Sequence, residues 1–237
     1  MRKLKIIGSA LLFWLCCTQS LLAATVLEQH QYTRTFGTET ATMRWQRLSG
    51  DPEQIVTEIN AEVDRTEMDV NLATRSWRVS DEEKKTQLKI ERHFNHLHLT
   101  GTFAGEAIDH WKNIDEAPWF QTMSISFRPF LDSSDEKIRF WIVRPDTLGI
   151  HKLKAIKKGI EILEIQGEQI KAQKIELRLS GLAAPFWKAT YWFREGDHLF
   201  LRYLGPGGLP GSPKIVVEIS SPLNQAGLAA MKNQGQL

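Results

Sequence analysis

Histidines cluster in one short stretch of the sequence, His93-Phe94-Asn95-His96-Leu97-His98. If this stretch is a single β-strand, side-chain alternation puts His96 and His98 on one side and His93 on the other. Two histidines two positions apart on a strand have the spacing of neighbouring metal ligands. Zinc would need a third or fourth ligand at about 2.0–2.1 Å. The candidates for that further ligand are His30, His110 and His151.

The apolar residues of the same stretch favour a different interpretation. Leu97 and Leu99 would form the buried face of the strand, which leaves His96 and His98 on a face that contacts water. We expect this solvated face rather than a metal site. A metal-dependent enzyme around His96 and His98 is therefore the least favoured of three functional hypotheses, and we predict neither a metal nor a cofactor.

Signatures of nucleophilic and phosphate chemistry are missing from the sequence. It contains no Gly-x-Ser-x-Gly elbow, no Walker loop and no Gly-x-Gly-x-x-Gly motif. The pairs Asp132/Asp135 and Glu161/Glu164 have the residue types for acid–base catalysis. However, residues 132–136 have the composition of a turn between two strands, and the two glutamates flank apolar strand positions. We therefore predict a protein that is not an enzyme and has no catalytic residues.

Aromatic residues are a stronger signal, since the chain holds 8 Trp and 11 Phe. Several lie in strings such as Phe140-Trp141 and Tyr191-Trp192-Phe193. Ligand pockets are lined mainly by apolar and aromatic side chains with a few polar groups, so the excess indicates an apolar groove for an amphiphile. The alternative is that the rings only fill the core of a strongly curved sheet. The candidate ligand-binding rings are Trp141, Trp187, Tyr191 and Trp192.

Arginines near the ends of predicted strands are the candidate polar groups. Arg128 and Arg144 each precede a proline, and Arg202 lies in a third apolar string. An arginine at the mouth of an apolar cavity would hold the anionic head group of an amphiphile. The alternative is that these arginines pair with neighbouring carboxylates.

Alternation of apolar and polar residues predicts the strands that position these groups. Ile175, Leu177 and Leu179 alternate with charged residues, which is typical of an antiparallel sheet with one buried face. The run Phe140–Val143 is apolar on both faces, so we expect a strand that is covered on both sides.

Helical periodicity is not sustained anywhere in the predicted mature chain. Leu148–Ala155 and Pro222–Lys232 are only weak helix candidates, and short turn signals separate the predicted strands. We predict an all-β fold, built as a single strongly curved antiparallel sheet (a half-barrel or barrel-like meander) with little helix. The domain would cover residues 25–221, and a short C-terminal tail would cover 222–237.

Residues 1–24 have the pattern of a cleaved signal peptide: a basic start, the apolar run Ile6–Cys17 and small residues before Thr25. The run is shorter than the roughly 20 residues that span a bilayer; an uncleaved signal anchor is the alternative. Cleavage would leave 27 basic and 28 acidic residues, a net charge of −1. This near-neutral charge argues against nucleic acid as a partner.

Both cysteines, Cys16 and Cys17, fall within the predicted signal peptide. The mature chain would then have no disulfide, and the residues before Cys16 do not form a lipobox. The sequence also has no Asn-x-Ser/Thr glycosylation site. We therefore predict a periplasmic protein of a Gram-negative cell that is not a lipoprotein and has no transmembrane span once processed.

The order of three aromatic motifs resembles a pattern of uncharacterised Gram-negative periplasmic proteins. These motifs are Pro118-Trp119-Phe120-Gln121, Ser126–Phe130 and Phe140–Pro145, and the later stretch Phe186–Phe193 continues the pattern. Such proteins are all-β, and their architecture is similar to the half-barrels of lipoprotein-localisation carriers. The resemblance implies one curved sheet with an apolar concavity for acyl chains, and it carries over no individual site residue.

The leading functional hypothesis is a periplasmic binding or carrier protein that holds a hydrophobic or amphipathic ligand in a concave β-sheet. A lipid or another amphiphile would be its partner. The alternative is a non-enzymatic structural or interaction module of the cell envelope, in which an exposed ring docks onto an envelope protein.

Overall fold

A computed structural model of the chain describes residues 24–179, 187–207 and 213–223. The predicted signal peptide, apart from Ala24, and the predicted tail beyond residue 223 lie outside the described residues. The described strands are β1 (Val26–Phe36), β2 (Glu39–Leu48), β3 (Glu53–Ile59), β4 (Glu62–Met68), β5 (Thr74–Asp81), β6 (Thr86–His93), β7 (His96–Phe103), β8 (Glu106–Asn113), β9 (Lys137–Val143), β10 (Ile150–Ile165), β11 (Glu168–Leu179), β12 (Lys188–Arg194), β13 (Phe200–Pro206) and β14 (Lys214–Ile219). Between β8 and β9 lie two short helices, α1 (Met123–Ser126) and α2 (Arg128–Asp132).

All 14 described strands belong to one antiparallel sheet, in the order β8-β7-β6-β5-β4-β3-β2-β1-β14-β13-β12-β11-β10-β9. Strands β1–β8 form one meander and β9–β14 form another, and the pairing of β1 with β14 joins them. The end strands β8 and β9 do not pair with each other. The predicted all-β class, with one antiparallel sheet and little helix, is confirmed.

Side-chain alternation explains how the strands bury their apolar residues. Ile175 and Leu177 of β11 are fully buried, whereas Arg178 is exposed. Strand β9 is covered on both faces, as predicted, because Phe140 packs into the larger of two apolar clusters and Val143 into the smaller. Both residues have no exposed surface.

The crossover segment, residues 114–136, runs from one end strand of the sheet to the other. Its Pro118 O accepts a hydrogen bond from the N–H of Trp141 in β9 at 2.8 Å. On its other side, Trp119 O accepts one from the N–H of Thr74 at the start of β5, also at 2.8 Å. The crossover segment therefore connects β9 to β5 by backbone hydrogen bonds, although no strand pairing closes the sheet.

Phe127 lies between the two helices of the crossover segment and has no exposed surface. Pro129 follows in the first turn of α2, where its missing N–H costs no helical hydrogen bond. The Phe127 ring stands within 6.3 Å, centroid to centroid, of five other rings. These rings belong to Phe120, Phe130, Phe140, Tyr191 and Phe193. The helices therefore fill the concave side of the sheet with the chain's own aromatic residues.

Two local predictions were wrong. The weak helix candidate Leu148–Ala155 is mostly strand, because Leu153 and Ala155 are buried with period two and pair with β9 and β11. Residues 132–136 do not join two strands, because α2 ends at Asp132 and only the following element, β9, is a strand. Pro129 lies in the first turn of α2, a position that favours the start of a helix.

The packing of Phe127 generates a stability prediction. Replacement of Phe127 by Ala should lower the free energy of unfolding by about 3–5 kcal/mol, because the cavity left among five rings cannot be filled. The matched control is Phe94→Ala, since the Phe94 side chain is 94% exposed. That control should change stability by less than about 0.5 kcal/mol. Urea unfolding measures both values, and equal losses for the two variants would contradict the central role of Phe127.

Candidate functional site

A groove of about 730 Å³ lies between strands β7–β8 and the β9–β10 hairpin, at the two ends of the sheet. Its volume falls within the range of about 300–1,000 Å³ that is usual for small-molecule sites. We call this concavity the groove. Its apolar lining residues are Leu99, Ile108, Trp141, Leu148 and Ile150, and its other lining residues are His110, Lys112, Asn113, Thr147 and Gly149.

The elements around the groove explain its composition. Alternation along β8 puts Ile108, His110 and Lys112 on the same side of the strand. Leu148 reaches the groove from the β9–β10 turn, where its N–H donates to Arg144 O at 2.9 Å. Lys112 is exposed and has no ion-pair partner among the described residues. Since none of the described lining residues is a carboxylate, the groove combines an apolar wall with positive charge.

A second concavity, which we call the cleft, has a volume of about 870 Å³. It lies between strands β4–β6 and the stretch from Glu116 to Ile138. Its charge is opposite to that of the groove, because five carboxylates and only two arginines line it. The charged lining residues are Glu67, Asp69, Glu91, Glu116 and Asp135, with Arg75 and Arg92.

Two of the four predicted ligand-binding rings, Trp141 and Tyr191, lie in separate parts of the structure. Trp141 lines the groove, and its Nε1 donates a hydrogen bond to Asp115 Oδ1 at 2.7 Å. Hydrogen bonds from Lys152 and Trp141 lower the pKa of Asp115 to about 2. Tyr191 lies in the filled interior, with its ring centroid 5.8 Å from that of Phe127. Burial raises the pKa of Tyr191 well above its usual value.

The other two predicted rings are engaged with the rest of the chain. Trp187 is half-buried and packs against the larger apolar cluster. Trp192 is buried, its Nε1 donates to a carboxylate oxygen of Glu161 in β10, and Lys174 Nζ lies 5.5 Å from its ring centroid. Both Trp192 and Glu161 are therefore satisfied by neighbours within the sheet.

Arg128 anchors the crossover segment to β1. Its guanidinium donates two hydrogen bonds to Glu28, at 2.8 Å to Oε2 and 2.6 Å to Oε1. His30 Nε2 lies 2.9 Å from the same Oε1. Burial by itself would raise the pKa of Glu28, but the hydrogen bonds from His30 and Arg128, together with the Arg128 charge, lower it to about 2. This arrangement is the carboxylate pairing that we considered as the alternative for the arginines.

The remaining predicted arginines also have carboxylate partners. Arg144 pairs with Asp146 on the exposed β9–β10 turn. Arg202 pairs with Glu218 of β14, and its Nη2 donates to Glu164 O at 3.0 Å. Of the seven predicted site residues, Trp141 alone lines the groove and none lines the cleft. The structure therefore does not bring the seven side chains together.

The histidine stretch forms a hairpin and not one strand. His93 ends β6 and lies directly opposite His96, the first residue of β7, so the prediction that His93 points to the other side was wrong. The reason is a two-residue turn at Phe94 and Asn95. The His98 ring stacks on Trp111 of β8, with centroids 4.1 Å apart. Across the three described ranges, no group of three or more His, Cys, Asp or Glu side chains could hold a metal ion.

Three of the four carboxylates considered for catalysis have different surroundings. Asp132 Oδ1 lies 2.8 Å from His198 Nε2, whereas Asp135 lines the cleft. Glu161 accepts hydrogen bonds from Trp192 and Lys174.

Within the described part of the chain, no helix is long and apolar enough to cross a membrane.

Sequence reasoning missed most residues of both concavities. The alternation of Ile108, His110 and Lys112 is visible in the sequence, but it does not reveal that Leu148 and Ile150 lie opposite. The cleft brings Glu67 and Asp135 to one lining. Such distant residues are brought together only by the sheet order and by the crossover segment.

Comparisons with known proteins give no family assignment. No family model matches the chain. No curated protein matches it either.

Solved structures show a related fold. A β-barrel-like protein of a domain of unknown function, DUF1849, from Brucella abortus has a TM-score of 0.53 and 7% identity, covering 84% of this chain and 100% of that one. The hypothetical lipoprotein YmcC from Escherichia coli (K12) has a TM-score of 0.35 and 11% identity, covering 83% and 88%. A DUF1329 family protein from Desulfovibrio piger has a TM-score of 0.27 and 10% identity, covering 83% and 85%.

The likeness to the Brucella protein shows a shared barrel-like fold and nothing about activity. It agrees with the resemblance to uncharacterised all-β proteins inferred from the aromatic motifs. The other two similarities are too low to support an argument about this chain.

The Glu28 contacts predict a pH-dependent stability. Because the folded protein holds the pKa of Glu28 at about 2, below the ordinary value of 4.5, its stabilisation is present above about pH 4.5 and is lost as the pH falls towards 2. The loss should be about 2–3 kcal/mol. Glu28→Gln should be less stable at pH 7, and its free energy of unfolding should change less with pH between about 4.5 and 2.

Urea unfolding between pH 7 and pH 2.5 measures the effect. Glu83→Gln is the matched control, because Glu83 is an exposed carboxylate in the turn after β5. It should keep the slope of the unchanged protein. If Glu28→Gln keeps that slope as well, the ion pair with Arg128 is not the source of the pH dependence.

Proposed function

We propose that this protein binds an amphipathic ligand with an anionic group and holds it in the groove without catalysing a reaction. The observation that carries this proposal is the lining of the groove, where an apolar wall meets Lys112 and His110 and no described carboxylate. The N-terminal signal pattern of the sequence supports a periplasmic location for this activity.

The apolar wall can stabilise a hydrocarbon chain. Removal of apolar surface from water contributes about 25 cal/mol per Å², and the half-buried Ile108, Leu148 and Ile150 offer such surface. Lys112 can pair with a carboxylate, sulfonate or phosphate at the exposed end of the ligand. The groove also lies where β8 and β9 have no hydrogen bonds to each other, so a ligand can enter without breaking strand pairs.

The concave interior is a poorer candidate for the same ligand. Phe127 and its aromatic neighbours already fill it, and a ligand there would have to displace a fully buried ring. The acyl-chain concavity that the family resemblance implies is therefore assigned in our proposal to the groove.

One observation favours the alternative of an interaction module. Trp111 is 55% exposed, stacks on His98, and belongs to β8, an end strand of the sheet. An exposed strand edge with an exposed tryptophan suits a protein partner that adds a strand. Under this alternative, cross-linking in the cell envelope should attach a partner near Trp111.

Native mass spectrometry of protein purified from its own cell envelope tests the leading proposal. We expect a bound species that organic extraction identifies as an anionic amphiphile. A protein that carries only a neutral or cationic molecule would contradict the predicted ligand class. A bare protein that also fails to bind added anionic amphiphiles would overturn the proposal.

A pair of tryptophan variants tests the place of binding. Trp141→Ala should weaken the binding of an anionic naphthalene sulfonate fluorophore by about tenfold, because Trp141 lines the groove. The matched control Trp187→Ala removes a half-buried tryptophan outside the groove and should bind normally. Fluorescence titration of folded variants measures both affinities, and equal losses would contradict the groove as the site.

A pair of lysine variants tests the charge preference. Lys112→Ala should lower the affinity for the same fluorophore by about 3- to 10-fold, and this difference in affinity should shrink at high salt. Lys158→Ala is the control, because Lys158 is an exposed lysine of β10 that does not line the groove. Unchanged affinity in Lys112→Ala would show that the groove does not select for an anionic group.

A further inference from the structure

We propose that the cleft is a second binding site, which takes an organic cation with an apolar body and a hydrogen-bonding group. The cleft and the groove have no described lining residue in common. This proposal is therefore independent of the proposed function, and either site can exist without the other.

The first argument is an unsatisfied hydroxyl among the lining residues of the cleft. Ser126, the last residue of α1, lines the cleft although it is only 1% exposed. Its Oγ is buried and has no hydrogen-bond partner among the described residues. Because buried polar groups nearly always have partners, and a missing partner is costly, such a group indicates a position where a ligand atom completes the hydrogen bond.

The second argument is the charge around the opening. Glu116 and Asp135 are exposed, line the cleft and have no ion-pair partner among the described residues. Two other carboxylates of the lining, Glu67 and Glu91, pair with Arg78 and Lys89. That leaves Asp69, Glu116 and Asp135 against the two arginines of the lining, an excess of one negative charge that favours a cation.

The third argument is the accessible apolar surface of the lining. Phe94, which is 94% exposed, and the half-buried Ile138 of β9 both line the cleft, whereas Phe120 and Phe130 of the same lining are each only 4% exposed. Aromatic rings pack against an apolar ligand body, and their faces also attract cations. A ligand would place its apolar body on Phe94 and Ile138, its acceptor near Ser126 and its cationic group near Glu116 or Asp135.

A fluorescent amine with these three parts is a suitable probe. Monodansylcadaverine carries a naphthalene ring, a sulfonyl group that accepts hydrogen bonds and a primary ammonium group. Its N-acetyl derivative keeps the ring and the sulfonyl group but has no charge. We expect the amine to bind at least about tenfold more tightly than the acetyl derivative, and the difference to shrink at high salt.

Ser126→Ala tests the hydroxyl. This variant should lower the affinity of the protein for the amine by about 3- to 10-fold, because one hydrogen bond is lost. The thermal midpoint of the free variant should stay the same or rise, because the buried hydroxyl no longer lacks a partner. A merely structural role of Ser126 would instead lower the midpoint and leave the affinity of the folded protein unchanged.

The double variant Glu116→Gln/Asp135→Asn tests the charge, and Glu82→Gln/Glu83→Gln in the exposed turn after β5 is its matched control. The first pair should reduce the affinity for the amine about tenfold without affecting the acetyl derivative, and the control pair should affect neither. Equal binding of the two probes, or unchanged affinity in both cleft variants, would overturn the proposal. Loss of amine binding in Trp141→Ala or Lys112→Ala alone would place the cation in the groove and would also overturn it.

Discussion

The crossover segment supplies what an open sheet of this length lacks, which is a filling for its concave side and a connection between its two halves. Hydrogen bonds from Trp141 and Thr74 hold Pro118 and Trp119 between β9 and β5. The paired guanidinium of Arg128 ties the following helix to Glu28 of β1. Phe127 packs between these attachment points, so the backbone hydrogen bonds, the ion pair and the aromatic core stabilise the same piece of chain.

Both candidate sites depend on where this segment lies. It borders the cleft directly through Pro118 and Phe120, and it holds Trp141, which lines the groove. Because its aromatic residues occupy the interior, the remaining space for ligands lies beside the segment rather than inside the sheet. The two concavities also differ in charge, since lysine and histidine line one and carboxylates prevail in the other. If both of our proposals hold, a single protein binds ligands of opposite charge.

Several groups that suggested ligand binding have hydrogen-bond or ion-pair partners within the fold. Arg128 and Arg202 pair with carboxylates of β1 and β14, and Trp192 donates its indole N–H to Glu161. A partly buried guanidinium or indole needs a partner wherever it lies, so residue type alone does not separate structural from functional groups. Ser126 is the opposite case, because an ordinary serine in the sequence became notable only through its burial without a partner.

The sequence by itself determined the class of fold, because alternation such as that of Ile175 and Leu177 follows from the geometry of a strand and needs no distant contact. It also indicated that β9 is covered on both faces, since Phe140–Val143 is apolar throughout. It did not determine the histidine hairpin or the two short helices, because a two-residue turn and the short α1 and α2 leave little periodicity. Only the tertiary structure decided the sites. The groove joins Leu99 to Ile150 and the cleft joins Glu67 to Asp135, and such juxtapositions arise from strand order and from the path of the crossover segment, which local patterns do not encode.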